Sequence, residues 1–395
     1  MIVFLEMYNA RVKESVMEDN NQIRKIVLIV TQFCNLDCVY CYEKFKSPQN
    51  MSFDTAKQIV DSEIKAYSNH YKLTIEFFGG EPFMNFPLIK QVFNYVQDVY
   101  KNNNIRFCTT TNGTMLVGEI REFLSINKDI FECSLSLDGT EKMHNLNRCY
   151  PNGQGSYNSI NTDFFLENYR EPRAKMTISK ETLPYLFEGV VYVESLGFVP
   201  ICDLASGADY WDIACIEILH KQLQLLVDYY SQNSNSPICR MLDYNFLRIF
   251  IPQNAPFKYC GAGKNMVTYD VDGTWYPCMA LAPVSQGKEA VRFANENFST
   301  FCFDDGNPCK MCKLLRLCRN CYAVNYNQTG DTQRQTGLQC LINRMTISAG
   351  VKIQFNRITR KYHSSVEISH EDQRVLEALL RVNDALSEDI YLKVD

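Results

Sequence analysis

The chain has 395 residues, of which 46% are hydrophobic and 22% charged, and its formal net charge is −5. This length exceeds one ordinary hydrophobic core, so we expect one large folded domain and a smaller one. The negative charge argues against a nucleic-acid partner, which normally requires a basic face. The apolar runs are too short to cross a bilayer, and residues 1–10 lack the basic segment and cleavage site of a signal peptide. We therefore expect no membrane association and a cytoplasmic location.

Apolar, β-branched runs alternate with helix-like segments in the first part of the chain. Amphipathic stretches such as Ser52–Tyr67, Pro87–Tyr100 and Pro184–Leu196 separate the strand candidates. The six strand candidates are KIVLIVT, LTIEFFGG, IRFCTTTNG, FECSLSLDG, RAKMTIS and GFVPICDL. Six strand–helix units in series predict an α/β fold with a parallel sheet, but they are too few to close an eight-stranded barrel. We expect a partial (β/α)6 TIM-like barrel over residues 25–235, after an N-terminal extension of residues 1–24.

The character of the sequence changes at residue 236, because Gly, Pro and Cys become dense from there to Cys340. Within this part, YDVDGTWYPC predicts a hairpin whose turn is supplied by Asp272 and Gly273. We expect a small cysteine-rich domain over residues 236–345.

Residues 346–395 are predicted to form a helical tail. Ser369 is the expected N-cap of its helix. One face of that helix carries an apolar stripe that we expect to pack on the body of the protein. The stripe consists of Val375, Leu379, Val382 and Leu386.

Seventeen cysteines are many for a chain of this length. Since cytosolic thiols stay reduced, metal or cluster ligation is a better interpretation than disulfides. The first group, Cys34, Cys38 and Cys41, follows the first predicted strand in CNLDCVYC, and GGEP, TTNG and SLDG follow the next three strands. Active sites of parallel α/β folds lie at the carboxyl ends of the strands, where all four motifs fall.

The CxxxCxxC spacing of Cys34, Cys38 and Cys41 resembles the signature of the radical S-adenosylmethionine (SAM) enzymes. The resemblance implies that these cysteines hold three irons of a [4Fe–4S] cube, and that the amino and carboxylate groups of SAM chelate the fourth iron. It also implies reductive cleavage of SAM to methionine and a 5′-deoxyadenosyl radical that abstracts a hydrogen atom. The alternative is a zinc knuckle lacking one ligand, although the spacing is not the usual zinc pairing.

The flanking motifs carry the same resemblance over roughly residues 25–205. It implies that the adenine lies near Tyr40, that the GGEP segment contacts the methionine amino group, and that Arg148 pairs with the methionine carboxylate. The TTNG and SLDG segments would contact the ribose and the carboxylate. Alone, GGEP is equally consistent with a tight turn, and Arg148 with a surface charge. The implied cofactor-binding residues are Tyr40, Gly79, Gly80, Glu81, Pro82, Thr110, Asn112, Ser136, Asp138 and Arg148.

The later cysteines resemble the SPASM domain, a C-terminal extension of radical SAM enzymes that act largely on peptides and proteins. The resemblance implies one auxiliary [4Fe–4S] cube on Cys309, Cys312, Cys318 and Cys340. It implies a second auxiliary cube, nearer the active site, on Cys260, Cys278 and Cys321. A zinc ribbon is the alternative for this region.

Two departures from the SPASM pattern leave the second auxiliary cube open. The spacing from Cys318 to Cys321 is shorter than usual, and Asn254 stands where some relatives have an eighth cysteine. Cys239 or Cys302 fills the fourth position, or one iron stays open to substrate. The remaining cysteines are expected to fill the core, since cysteine is often buried. They are Cys108, Cys133, Cys149, Cys202 and Cys215.

The resemblance includes the anaerobic sulfatase maturases, which oxidise a protein Cys or Ser to formylglycine. In those enzymes an aspartate after the second SPASM cysteine is the proposed base, whereas this chain has Met279, which cannot accept a proton. Asp270 and Asp272 lie nearby, and we expect them to shape the hairpin. The preferred hypothesis is therefore hydrogen-atom abstraction from a ribosomally made precursor peptide to install a thioether or carbon–carbon cross-link, or a related modification.

Three other functions remain open: formylglycine formation, radical small-molecule cofactor biosynthesis, and a non-catalytic cluster or zinc module. The preferred hypothesis requires an electron donor such as ferredoxin or flavodoxin. The segment before the first strand is too short for a winged-helix leader-recognition module. Either a separate protein delivers the leader, or the peptide binds the barrel mouth directly. Tyr322 and Tyr326, beside the last cysteines, are expected to pack, and no catalytic side chain is assigned.

Overall fold

A computed structural model describes residues 23–67, 72–101, 103–206, 211–252, 259–296, 298, 303, 305–362 and 367–387. The chain divides into two compact units that interleave along the sequence. The first unit contains the described residues up to 136, with 148–172 and 261–299. The second unit contains residues 137–147 and 173–260, and the described residues from 300 onwards. Most of the predicted N-terminal extension lies outside the described residues.

The described residues form strands β1 to β8 and α-helices α1 to α11. In chain order these are β1 Ile23–Thr31, α1 Phe53–Tyr67, β2 Lys72–Gly79, α2 Phe86–Val99, β3 Ile105–Thr111, α3 Gly118–Asn127, β4 Phe131–Ser136, α4 Glu141–Asn147, α5 Thr162–Asn168, β5 Arg173–Ile178, α6 Leu186–Ser195, β6 Val199–Leu204, α7 Ile213–Gln232, β7 Met266–Tyr269, β8 Trp275–Tyr276, α8 Pro283–Gln286, α9 Tyr322–Thr329, α10 Gly337–Lys361 and α11 His370–Ser387. The α/β class and the six predicted strand–helix units are confirmed.

The first unit is built on a parallel arrangement of β1, β2, β3 and β4, paired in that order. One row across these strands joins Ile26, Ile75, Phe107 and Phe131, all of them buried. On the helix side of this row, the ring of Phe93 in α2 lies 4.8 Å from the ring of Phe107. Alternation of side chains along each strand explains why these apolar residues share one face. The carboxyl ends of the four strands consequently lie along the same edge.

The predicted hairpin is confirmed. Strands β7 and β8 pair in antiparallel fashion, and Gly273 in the connection has a φ angle of 86°. Asp272 Oδ1 accepts the Thr274 N–H at 2.8 Å, so this carboxylate shapes the hairpin as expected. The Asp270 carboxylate instead accepts from the Gln32 amide at 2.8 Å and connects the end of β7 to the residue that follows β1. The pairing of β7 with β1, in parallel, was not predicted from the sequence.

The second unit contains the parallel pair β5–β6 and most of the long helices. Helix α11 has its predicted cap, since the Ser369 hydroxyl accepts the Asp372 N–H at 3.2 Å. Its predicted stripe packs in a core cluster that includes Leu314 and Leu317, with Leu379 and Val382 fully buried. Helix α10 runs through the predicted boundary at 345/346, and the domain boundaries remain predictions. No helix in the described residues has both the length and the apolar character needed to span a membrane.

Candidate active site

The loop between β1 and α1, residues 32–50, carries the CxxxCxxC motif and is called the cysteine loop below. The Cys34 thiol accepts the Leu36 N–H at 3.4 Å, and the Cys41 N–H donates to the Cys38 carbonyl at 3.0 Å. Lys46 Nζ donates to the Leu36 carbonyl at 3.2 Å. The backbone of the loop is thus folded back on itself so that the three cysteines lie close to one lysine.

The three sulfur atoms of the cysteine loop interact electrostatically with Lys46. Burial disfavours the charge on this lysine, but the neighbouring sulfur atoms of Cys41, Cys34 and Cys38 outweigh it and raise its pKa. Burial raises the pKa of Cys34 to about 12 and also raises the pKa of Cys41. Since a thiol must lose its proton to ligate iron, metal binding would have to offset this burial.

The glycines that end β2 allow two segments of backbone to meet. A Cβ atom on Gly79, whose φ is +142°, would lie 2.0 Å from the Thr31 carbonyl oxygen. A Cβ atom on Gly80 would lie 2.2 Å from the Phe33 carbonyl oxygen and 2.8 Å from the Cys34 Cβ. The Glu81 N–H donates to that same Phe33 oxygen at 2.9 Å. These glycines therefore let the GGEP segment pack directly against the cysteine loop.

The carboxylate of Glu81 links the ends of β2 and β3. Its Oε1 accepts from the Thr111 hydroxyl at 2.8 Å and the Phe83 N–H at 3.2 Å, and its Oε2 accepts from the Asn112 N–H at 2.7 Å. The residue is buried, and burial raises its pKa to about 7 although these hydrogen bonds favour the charged form. An ionised carboxylate has about four acceptor positions. The three protein donors therefore leave room for one further donor from a ligand.

A second network joins the cysteine loop to the segment after β3. The Asn112 amide donates to Asn35 Oδ1 at 2.9 Å, and the Asn35 amide donates to the Thr114 hydroxyl at 2.8 Å. Asn112 Oδ1 also accepts the Thr114 N–H at 3.0 Å. Asn35 and Thr111 lie within the CNLDCVYC and TTNG motifs but were not singled out in the sequence, and Lys46 lies outside the motifs.

Arg148 lies beside Tyr40, the aromatic residue of the cysteine motif. Its guanidinium carbon is 5.4 Å from the centre of the Tyr40 ring, within the range of a cation–π contact. The next residue secures the loop, since the Asp37 N–H donates to the Cys149 carbonyl at 2.8 Å. Cys149 is thus a half-buried partner of the cysteine loop rather than core filler.

The remaining predicted cofactor contacts divide between the units. Pro82 begins a short 3-10 helix after β2, Thr110 is half-buried near the end of β3, and Ser136 is the buried last residue of β4, all in the first unit. Asp138 belongs to the second unit, where it accepts the Thr177 N–H at 2.9 Å and the Asn147 amide at 3.2 Å. Whether these residues contact SAM stays a prediction.

Four of the later cysteines lie together in the second unit. Cys309 and Cys318 are buried, whereas Cys312 and Cys340 are half-buried. Burial, reinforced by the sulfur atoms of Cys312 and Cys340, raises the pKa of Cys309 to about 12. The pKa of Cys318 is likewise raised by burial and by these three neighbours. The set is the one predicted to hold the first auxiliary cube.

The three cysteines predicted to hold the second auxiliary cube are divided between the two units. Cys260 and Cys321 belong to the second unit, where they interact electrostatically, whereas Cys278 belongs to the first unit. There the Cys278 thiol accepts the Ala280 N–H at 3.3 Å. Of the suggested substitutes, Cys239 is fully buried with its N–H bonded to the Tyr230 hydroxyl, whereas Cys302 and Asn254 lie outside the described residues. The fourth position of this cube remains open.

The predicted core role of cysteine holds for Cys133, Cys202 and Cys215, which are buried. It does not hold for Cys108, which is half-buried. Tyr322 is buried, as expected for a packing residue. Among the described residues, no three His, Cys, Asp or Glu side chains are arranged to hold a single metal ion.

Residues 28–148, which include the cysteine loop, GGEP, TTNG and Arg148, match the Radical SAM superfamily. The chain therefore contains a radical SAM domain. Enzymes of this superfamily use SAM and a [4Fe–4S] cluster, and these are the cofactors of the domain. The thiols around Lys46 and the remaining acceptor position of Glu81 fit such a group.

Three relatives illustrate the range of similar sequences. An uncharacterized protein of Methanocaldococcus jannaschii is 34% identical over 44% of this chain, which spans 60% of that relative's length. The radical SAM cyclopropyl synthase TigE of Paramaledivibacter caminithermalis is 24% identical over 80% of this chain and 71% of its own length. A cysteine-type anaerobic sulfatase-maturating enzyme of Clostridium perfringens is 24% identical over 72% of this chain and 85% of its own length.

Solved structures share the fold over most of the chain. The structure of anSMEcpe with AdoMet and a peptide bound has a TM-score of 0.62 at 20% identity, covering 87% of this chain and 99% of that one. Streptococcus suis SuiB bound to the precursor peptide SuiA has a TM-score of 0.56 at 17% identity, covering 84% of this chain and 79% of that one. The partial-barrel fold is thereby confirmed. The enzyme is related to peptide modifiers and to sulfatase maturases.

Proposed function

We propose that this enzyme abstracts a hydrogen atom from a ribosomally made precursor peptide and installs a thioether or carbon–carbon cross-link, or a related modification. The observation that carries the proposal is the similarity to TigE over 80% of the chain, far beyond the superfamily match at residues 28–148. SuiB, with its precursor peptide bound, supports the same substrate class. A cytoplasmic location and a donor such as ferredoxin or flavodoxin belong to this proposal, as does either direct peptide binding or delivery by a separate protein.

The residues of the first unit have defined roles in this proposal. When bound, the cube and SAM supply the 5′-deoxyadenosyl radical that removes the hydrogen atom. Cys34, Cys38 and Cys41 would hold the cube, leaving one iron for SAM. Glu81 would accept from the methionine amino group with its remaining acceptor position, and Arg148 would pair with the methionine carboxylate.

The later cysteines are proposed to form a SPASM region. Cys309, Cys312, Cys318 and Cys340 would hold one auxiliary cube, and Cys260, Cys278 and Cys321 a second. Since both auxiliary sets lie outside the superfamily match, they rest on the resemblance and on the grouping of the first set in the second unit.

Formylglycine formation is the second candidate, favoured by the 99% coverage of the anSMEcpe chain. The position after Cys278 argues against it. Met279 lies there with its Sδ 3.9 Å from the Cys278 sulfur, and a thioether cannot act as a base. Small-molecule radical chemistry stays a third candidate without a structural observation in its favour.

Mass spectrometry separates the first two candidates. The reconstituted enzyme is incubated without oxygen with SAM, a reductant and each short peptide encoded beside its gene, and separately with a cysteine-containing sulfatase peptide. We expect 5′-deoxyadenosine to form. We also expect a peptide encoded beside the gene to lose two hydrogen atoms and to keep its sulfur. Conversion of the sulfatase peptide with loss of its cysteine sulfur would favour formylglycine formation. Absence of 5′-deoxyadenosine in every reaction would overturn the proposal.

A further inference from the structure

Three side-chain amides surround Cys309 and Cys318, the two buried members of the first predicted auxiliary set; they are called the amide shell and consist of Asn320, Gln335 and Asn343. The Asn343 amide donates to the Cys318 sulfur at 3.4 Å. Gln335 Nε2 lies 3.6 Å from the Cys309 sulfur and 3.8 Å from the Cys318 sulfur, and Asn320 Nδ2 lies 3.9 Å from the Cys309 sulfur. All three amides therefore direct N–H groups toward sulfur.

Neighbouring groups fix the orientation of two of these amides. Asn325 donates to Asn320 Oδ1 at 2.6 Å, so the oxygen of Asn320 is occupied and its NH2 group is left to face Cys309. Asn343 donates to Gln335 Oε1 at 3.2 Å, which orients the NH2 group of Gln335 toward the two sulfur atoms. Each amide offers two N–H donors and an acceptor oxygen, so fixing the oxygen fixes the donors. The donors are thus oriented by a network rather than by chance rotamers.

Two amides of the shell and the Asn325 side chain that orients Asn320 are buried, so their hydrogen bonds contribute to stability. Asn320 is 2% exposed, Asn325 is 0% exposed and Asn343 is 5% exposed. Burying an amide costs about 1–3 kcal/mol unless it is hydrogen-bonded. A neutral thiol is only a weak acceptor, whereas a thiolate bound to iron is a much better one. The placement of three amide donors around two sulfur atoms is therefore well suited to the thiolate form.

We propose that the amide shell raises the reduction potential of the auxiliary [4Fe–4S] cube held by Cys309, Cys312, Cys318 and Cys340. This inference rests on the auxiliary cube assigned under the proposed function. Reduction adds one electron, supplied in the assay by dithionite, and makes the cube and its thiolate sulfurs more negative. N–H donors stabilise that added charge, so they favour the reduced form. The shell acts through the ligand sulfurs, and its members are positioning residues.

The experiment is a potentiometric titration of the reconstituted full-length chain, monitored by electron paramagnetic resonance. The cysteine loop carries alanine in place of its three cysteines to remove the SAM cube, and the signal lost on Cys309→Ala identifies the auxiliary cube. Asn343→Leu and Gln335→Met remove donors at nearly constant side-chain volume. Asn356→Leu is the matched control, because Asn356 lies on the same helix α10 but donates to the Ser231 hydroxyl at 3.0 Å. Iron per chain is measured for every variant.

We expect each donor variant to keep its iron and to lower the reduced-to-oxidised ratio at a fixed potential at least tenfold, a shift of about 59 mV for one electron. The Asn356→Leu control should leave the potential in place. Full iron with an unchanged potential in both donor variants would overturn the proposal. Iron loss from both, with the control intact, would also overturn it by assigning the amides to assembly alone. If the parent itself holds no such cube, the proposed auxiliary cube fails, and with it this inference, while the peptide assay remains an independent test.

Discussion

Replacing Gly80 by alanine should disrupt the junction between the GGEP segment and the cysteine loop. The added Cβ would lie 2.2 Å from the Phe33 carbonyl oxygen and 2.8 Å from the Cys34 Cβ. Neither neighbour can rotate away, because one is main chain and the other is attached directly to it. The cysteine loop or the end of β2 must therefore move, and Cys34 moves with the loop.

The size of the effect follows from two contributions. Forcing a methyl group into a filled space costs about 1–3 kcal/mol. The displacement also lengthens the hydrogen bond from the Glu81 N–H to the Phe33 oxygen, now 2.9 Å, whose net contribution is about 1 kcal/mol. We expect the free energy of unfolding to fall by about 2–4 kcal/mol. Iron retention and 5′-deoxyadenosine formation should fall as well, because the first cysteine ligand is misplaced.

Urea unfolding followed by far-UV circular dichroism, with iron analysis on the same samples, measures both effects. Gly306→Ala is the matched control, since a Cβ there has no heavy atom within 4 Å. The reasoning is wrong if Gly80→Ala and Gly306→Ala show the same unfolding midpoint and the same iron content. A loss of iron with no change in the unfolding midpoint would show that the clash is absorbed by the cysteine loop alone.

Three further predictions concern the clusters and the second unit. Replacing all three cysteines of the cysteine loop by alanine should remove the iron of one cube and abolish 5′-deoxyadenosine formation; residual formation would place the SAM cube elsewhere. Cys309→Ala should retain part of the SAM cleavage while losing the peptide product, and undiminished product in a mass-spectrometric assay would show that the auxiliary cube is dispensable. Leu379→Ala should lower the free energy of unfolding by about 2–5 kcal/mol, because this 2% exposed side chain fills the core cluster. Leu380→Ala, 63% exposed on the same helix, is its control in thermal unfolding and should change little.

The strands could be predicted from the sequence because their signal is local. Each observed strand overlaps its predicted run, and the ends of strand and run differ by at most three residues. The same local signal identified the hairpin and the capped helix α11. The cysteine spacing and the motifs at successive strand ends predicted which segments of the first unit carry the candidate site.

The contacts between those segments could not be predicted, because they join residues far apart in sequence. No pattern in the sequence links Asn35 to Asn112 or Thr111 to Glu81, because each pair joins residues at the ends of different strands. The pairing of β7 with β1 likewise depends on an edge that the sequence does not mark. As a result, residues 261–299 fall in the first unit although their composition resembles the cysteine-rich region.

Hydrogen bonds connect the cysteine loop, the GGEP segment and the TTNG segment to one another. Glu81 engages the ends of β2 and β3, and Asn112 joins the segment after β3 to the cysteine loop. In the proposed site, Glu81 would bind cofactor with its remaining acceptor position while its other positions hold the ends of β2 and β3, so exchanging it would move its neighbours. The predicted cofactor contacts and the local fold are therefore coupled at Glu81 and Asn112. Substituting either residue should change iron retention and local stability together rather than SAM affinity alone.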